Sequence, residues 1–161
     1  MPPHDSLIDT VTTALDQHEL NYHLDTDSQM LSGSLRGDNG TWRFLVEVVD
    51  RETERGIIIV SFVPVNVPAP RRGAVAELLS RINFSKAMAF YAMDMSDGEI
   101  VCKSGFDLVD AELTLEMFDG TFLLNAQTLD HYLPAIMQVC FSSVTPEAAI
   151  AALDRQGSVM Q

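Results

Sequence analysis

The chain opens with apolar residues at helical spacing. Leu7, Ile8, Val11 and Leu15 make one stripe, which predicts a helix whose first amides Asp5 or Ser6 can cap. The period then changes to two. In MLSGSLRGDNGTWRFLVEVVD the turn GDNG separates two runs with strand chemistry. After that turn Trp42, Phe44, Val46 and Val48 alternate with Arg43, Leu45, Glu47 and Val49, so one strand face is uniformly apolar and the other mixed. A polar turn closing at Gly56 leads into IIIVSFV, a β-branched run too short for a helix. Three strands with short connections predict an antiparallel meander.

PVNVPAPRRG then places three prolines within seven residues, which predicts an extended connection off the sheet. AVAELLSRINFSKAM returns to helical spacing through Val75, Leu78, Leu79 and Ile82. FYAMDM, the turn SDGE and IVCKSGFDL form a second hairpin. From Leu113 the pattern is helical. Gly120 is expected to separate a short turn from a long helix, and Pro134 to kink that helix or mark a tight start. In SVTPEAAIAAL, Thr145 is placed as N-cap, Pro146 at the first helical position and Glu147 in the first turn. The result is an α+β fold in the order α-βββ-α-ββ-α-α. An antiparallel sheet, a three-stranded meander plus a hairpin, carries helices on one face. Residues 1–161 read as one domain, with 1–4 and 155–161 expected to fray.

The second hairpin concentrates acids. MDMSDGEIVCKS sets Asp94, Asp97 and Glu99 around Gly98. A two-residue Asp97-Gly98 loop of type I′ predicts the register Ser96 to Glu99, Met95 to Ile100, Asp94 to Val101, Met93 to Cys102 and Tyr91 to Ser104. Met95, Ile100, Met93, Cys102 and Tyr91 then share the core face, and Asp94 points outward, diagonal to Lys103. The acids divide between turn and outer face and do not converge as ligands.

Charge narrows the function classes. Ten Lys and Arg stand against 23 acids, a net charge of −13. Phosphate backbones and anionic membrane surfaces are poor partners for such a chain. No apolar run reaches the length of a membrane-spanning helix and no secretory leader is evident, which predicts a cytoplasmic protein. Cys102 and Cys140 stand apart in apolar company and are expected in the core. His4, His18, His23 and His131 have no i, i+4 pairing, although His18 and His23 could approach across the end of the first helix. Calcium-loop fragments at Asp25 and Asp94 carry Met30 and Glu99 where a glycine is required. No nucleophile elbow or phosphate loop is present. The expectation is no enzyme, no cofactor and no metal.

Three patterns resemble the YbjN family of bacterial sensory transduction regulators: the helix ending Arg81-Ile82-Asn83, the Asp97-Gly98 hairpin, and the Tyr132-Leu133-Pro134 helix followed by Thr145-Pro146-Glu147. The resemblance spans roughly Leu31 to Leu153, with unusual Met and Ala content from Lys86 to Met95. It implies a fold similar to that of type III secretion chaperones, which dimerise and hold partner segments extended.

One residue pattern points to association independently. Leu45 and Val49 share the strand face opposite Trp42 and Phe44, and a strand apolar on both faces is covered on both sides. Helices suffice for one face, so Leu45 and Val49 are the candidate partner or dimer face. The expected function is a non-enzymatic protein-interaction module, a chaperone-like homodimer that binds an unidentified protein partner. The alternative is a small-molecule-sensing domain with a pocket between sheet and helices, and a hydrolase with a dispersed acid pair is a third reading.

Overall fold

A computed structural model describes residues 6–159. In chain order the elements are α1 (Leu7–Gln17), β1 (Tyr22–Asp25), β2 (Met30–Arg36), β3 (Thr41–Arg51), β4 (Glu54–Asn66), a 3-10 turn (Ala69–Arg71), α2 (Arg72–Phe84), β5 (Phe90–Met93), β6 (Glu99–Asp107), α3 (Leu115–Phe141) and α4 (Pro146–Val159). The strands form one antiparallel sheet in the order β1-β2-β3-β4-β6-β5. The fold is α+β, as the sequence pattern predicts, with one strand, β1, more than that pattern shows.

The helices cover a single sheet face because the strand alternation offers only one that is fully apolar. Trp42, Phe44, Val46 and Val48 of β3 are all buried, with Ile57, Ile59 and Val63 of β4 and Ile100 and Cys102 of β6. Two clusters fill the layer between sheet and helices. Leu7, Val11 and Leu15 of α1 meet Phe44, Ile59, Phe118 and Phe122 in one. In the other, Leu78 and Ile82 of α2 meet Trp42, Tyr91, Leu129 and Ile136. Phe122 lies edge-on to Phe44 at 5.3 Å and stacks on Phe118 at 5.6 Å. Both cysteines are buried and free.

Several boundaries depart from expectation for identifiable reasons. Ser6 sits at the N-cap of α1 without a capping side-chain bond, and Asp5 lies outside the described residues. β4 does not leave the sheet at its first proline. It continues through Pro64 to Asn66, where it rejoins β6 opposite Glu99 after a register irregularity that begins at Phe62. A proline is tolerated in a strand where the ladder is already interrupted. α3 runs unbroken through Gly120, which nothing approaches, because Phe118 and Phe122 on either side bury their rings. α4 continues to Val159, into the stretch expected to fray, and begins as predicted, with the Ala148 amide donating to Thr145 Oγ1 at 3.2 Å.

Pro134 also lies inside α3. It cannot donate to the carbonyl of Asp130, four residues earlier. That carbonyl instead accepts from the Asn39 side-chain amide at 3.0 Å. In return the Asp130 carboxylate accepts the backbone amides of Asp38 and Asn39 at 3.0 and 2.8 Å. The GDNG turn is thereby latched onto α3. Gly37 permits the approach, since a Cβ there would fall within 2.3 Å of the Asp130 carboxylate.

Candidate functional site

The acid-rich hairpin is a turn, with a different register from the one its sequence suggests. Met93 faces Ile100, Ala92 faces Val101 and Tyr91 faces Cys102. Asp94 and Glu99 close a four-residue loop, the Asp94 amide donating to the Glu99 carbonyl at 2.9 Å and the Gly98 amide to the Asp94 carbonyl at 2.8 Å. Within this loop only Gly98 has positive φ, 82°, so the loop is not a type I′ turn, which needs two such residues. The slip is two residues, so strand faces are preserved: Tyr91, Ile100 and Cys102 are buried as expected. Met95 is displaced into the loop and exposed, and Asp94 does not stand diagonal to Lys103. Its carboxylate accepts from the Ser96 amide and hydroxyl at 2.8 and 2.6 Å, and the hydroxyl contact leads in holding it below the usual carboxylate range. Arg72 ties the loop down by donating to the Met95 and Ser96 carbonyls.

The other candidate ligands are also occupied locally. His18 pairs with Asp119 of α3 at 2.6 Å, not with His23, which lies on β1. Asp25 accepts the amides of Asp27 and Ser28 in the β1–β2 turn. Burial pushes the Cys102 thiol up to about 12, far from nucleophilic. Three buried polar side chains satisfy one another: Ser61 donates to Asn125 Oδ1 at 2.6 Å, and Asn125 donates to the Cys102 carbonyl and Ser104 Oγ, both at 3.1 Å, whereas the buried Trp42 Nε1 has no partner among the described residues. Among the described residues no three His, Cys, Asp or Glu side chains gather as a metal site, and no helix is long and apolar enough to cross a membrane.

The sheet's outer face is the remaining feature. Leu45 and Val49 point there and are half-buried. Register extends the surface across neighbouring strands: Leu45 faces Val60, which faces Lys103, which faces Phe90. One row over, Arg43 faces Phe62, Phe62 faces Val101, and the Arg43 guanidinium lies 4.4 Å from the Phe62 ring centre. None of these side chains belongs to the two clusters beneath the helices, and Val60 among them is only 8% exposed. Toward β6 the surface deepens into a trough of about 660 Å³ whose apolar lining includes Val49, Ile58, Met88, Phe90 and Val109. The last four are exposed. Gly56 and Gly105 contribute no side chain to its floor. The sequence pattern singles out Leu45 and Val49, and Met88 as one of several adaptable methionines, but not Ile58, Phe90 or Val109. The parity of Phe90 opposite Tyr91 was the available signal for one of them.

A family model for YbjN, described as "Putative bacterial sensory transduction regulator", matches residues 7–138. Among solved structures, one described as YbjN, "a putative transcription regulator from E. coli", superposes with a TM-score of 0.60 at 18% identity, covering 80% of this chain and 89% of that one. A chain of the ExsC-ExsE complex superposes with a TM-score of 0.52 at 16% identity, covering 83% and 95%. At such identities the likeness is one of fold. No curated protein matches the sequence significantly.

Proposed function

The chain belongs to the YbjN family, and from that premise we propose that it is a non-enzymatic regulatory module that binds another protein through the outer face of its sheet. The observation that carries this reading is the apolar surface on the face opposite the helices, made by exposed Ile58 and half-buried Leu45, Val49 and Phe62. Contiguous apolar surface of this kind marks an interaction site in a soluble protein. The ExsC-ExsE complex, by its description an assembly of two proteins, supports the fold as a scaffold for association. The protein is cytoplasmic in this reading, and two copies associate as a chaperone-like homodimer with Leu45 and Val49 at the contact.

The layer that a small-molecule sensor would need, between sheet and helices, is occupied by the two core clusters, and the concavity lies outside it. That makes the protein-binding reading the better supported one.

Sedimentation velocity at micromolar concentration tests the dimer. The wild type is expected to sediment as a dimer. Leu45→Glu and Val49→Glu are each expected to shift it to monomer with an unchanged far-UV spectrum. A wild-type monomer across that range removes the homodimer, and dimers in both variants move the contact off this face.

A further inference from the structure

β6 is longer than its neighbour. It runs from Glu99 to Asp107, but β5 accompanies it only opposite Ile100–Lys103. Beyond Lys103 no strand among the described residues lies on the side of β6 away from β4. Parity decides which backbone groups point there. The Leu108 amide donates to the Arg55 carbonyl on the β4 side, and the Asp94 amide donates to the Glu99 carbonyl on the β5 side. Peptide groups alternate in direction along an antiparallel ladder. Even-numbered residues of β6 therefore turn to β4 and odd-numbered ones to β5, and both pairings are regular over residues 101–103. Gly105 and Asp107 present their amides and carbonyls to the side where β5 has ended.

This open edge adjoins the apolar trough. Gly105 is exposed, and a Cβ there would lie 2.4 Å from the Ile57 carbonyl oxygen, so the edge stays bare of a side chain. Ile58, Met88, Phe90 and Val109 stand around it. An unpaired edge beside apolar pockets suits a strand, whose backbone completes the ladder while alternate side chains enter the pockets. A helix would leave the edge groups unmet. Charge gives the edge a direction, with Lys103 at its β5 end and Asp107 at its far end. The chain's net charge of −13 draws a basic partner and repels an acidic one.

Resting on the reading that the outer face binds protein, we propose that the β6 edge at Gly105–Asp107 and the adjoining trough take up an extended segment of a partner protein as a seventh strand. The segment is apolar at alternate positions and carries a basic residue at the Asp107 end.

Ten-residue peptides selected from a phage-displayed random library against the full chain, then synthesised, supply the probe. With saturating peptide, amide exchange at Gly105 is expected to slow at least about tenfold. N-methylation of the peptide should abolish binding at every second position only. Asp107→Asn keeps the acceptor for the Val109 amide, now 2.9 Å from Asp107 Oδ1. It should weaken basic-ended peptides about threefold. Peptides that Leu45→Glu or Val49→Glu displaces while Gly105 exchange stays unchanged overturn the strand-addition proposal and leave the outer-face reading standing. Failure of any peptide to enrich overturns both. Slowing of Gly105 exchange with protein concentration alone assigns the edge to a second copy and likewise overturns the proposal.

Discussion

If the Asn39 amide replaces the donor that Pro134 lacks, the two residues are energetically coupled although they sit on different elements. Asn39 Nδ2 lies 3.0 Å from the Asp130 carbonyl, which Pro134 cannot reach with an amide hydrogen. Asn39→Ala removes that bond and should cost about 1 kcal/mol, or roughly 2–4 °C in Tm for a chain of this size. Pro134→Ala returns an amide to the helix, which can then satisfy the Asp130 carbonyl itself. In that background the same Asn39→Ala change should cost about half as much or less, a coupling of ~0.5 kcal/mol or more. The backbone amides of Asp38 and Asn39 keep their bonds to the Asp130 carboxylate in every member of the cycle, so the hairpin stays docked. Trp42 is the chain's single tryptophan and is 4% exposed, so urea unfolding followed by its fluorescence reads all four proteins with one native probe. Equal costs of Asn39→Ala in the two backgrounds, within about 0.3 kcal/mol, would refute the compensation.

Other outcomes follow from single positions. Gly98→Val forces a β-branched residue to φ 82° and sets a Cβ 2.3 Å from the Val67 carbonyl oxygen, so urea unfolding should register a loss of about 2–4 kcal/mol. Calorimetric titration with calcium should read the same for that variant as for the wild type. Asn125→Ala strands the buried Ser61 and Ser104 hydroxyls and should cost about 2–4 kcal/mol, whereas Asn125→Leu combined with Ser61→Ala and Ser104→Ala should recover at least half of the loss in the same assay. Stability should fall above pH 9. The unfolded Cys102 thiol ionises from about its ordinary 9.0, while the folded one keeps its proton to about 12, so the unfolded state binds fewer protons between those values. One such proton removes about 1.4 kcal/mol per pH unit. Tyr91, pushed above its ordinary 10.0 chiefly by burial, adds to the slope at higher pH. Urea midpoints in Cys102→Ala should decline less steeply over the same range, and an identical slope would refute the assignment.

Alternation of side chains was the most legible signal, because a strand's face assignment needs only parity. Tyr91, Ile100 and Cys102 were placed correctly despite a two-residue register slip, since a shift by a whole period leaves every face unchanged. The register itself was not legible. It depends on Arg72 and Val67 holding the loop, contacts that bring together distant parts of the chain. β1 escaped notice because YHLD holds a single period, with Tyr22 and Leu24 only half-buried. Breakers misled where tertiary contacts neutralise them: Pro64 at the interrupted end of a ladder, and Pro134 beneath the Asn39 amide. The candidate surface was legible through Leu45 and Val49, apolar residues on the mixed face of their strand. Its extension to Met88 and Val109 depends on where β5 stops, which no local pattern encodes.

Asn83, which carries part of the family likeness, and several residues elsewhere in the chain hold elements to one another. Asn83 exchanges two hydrogen bonds with the Tyr91 backbone, 2.8 and 2.9 Å, tying the end of α2 to β5. Arg71 donates to the Val139 and Val144 carbonyls across the end of α3, and Arg72 to Val67 and the hairpin loop. Asp130 holds the β2–β3 turn. Each group is committed to a backbone partner, so its replacement strands an acceptor or donor and is felt as stability. The outer face differs in kind. Leu45, Ile58 and Phe90 point away from the helices, and no latch of the fold depends on their identity. A polar replacement there removes apolar surface from solvent contact and costs the monomer little. If the surface is used, the same replacement weakens association. Substitutions at Asn83 or Asp130 should therefore lower Tm of the isolated chain, while those at Leu45 or Phe90 should lower affinity at constant Tm. Loss of stability without loss of affinity at the outer positions would mean that this face belongs to the fold and that the binding surface lies elsewhere.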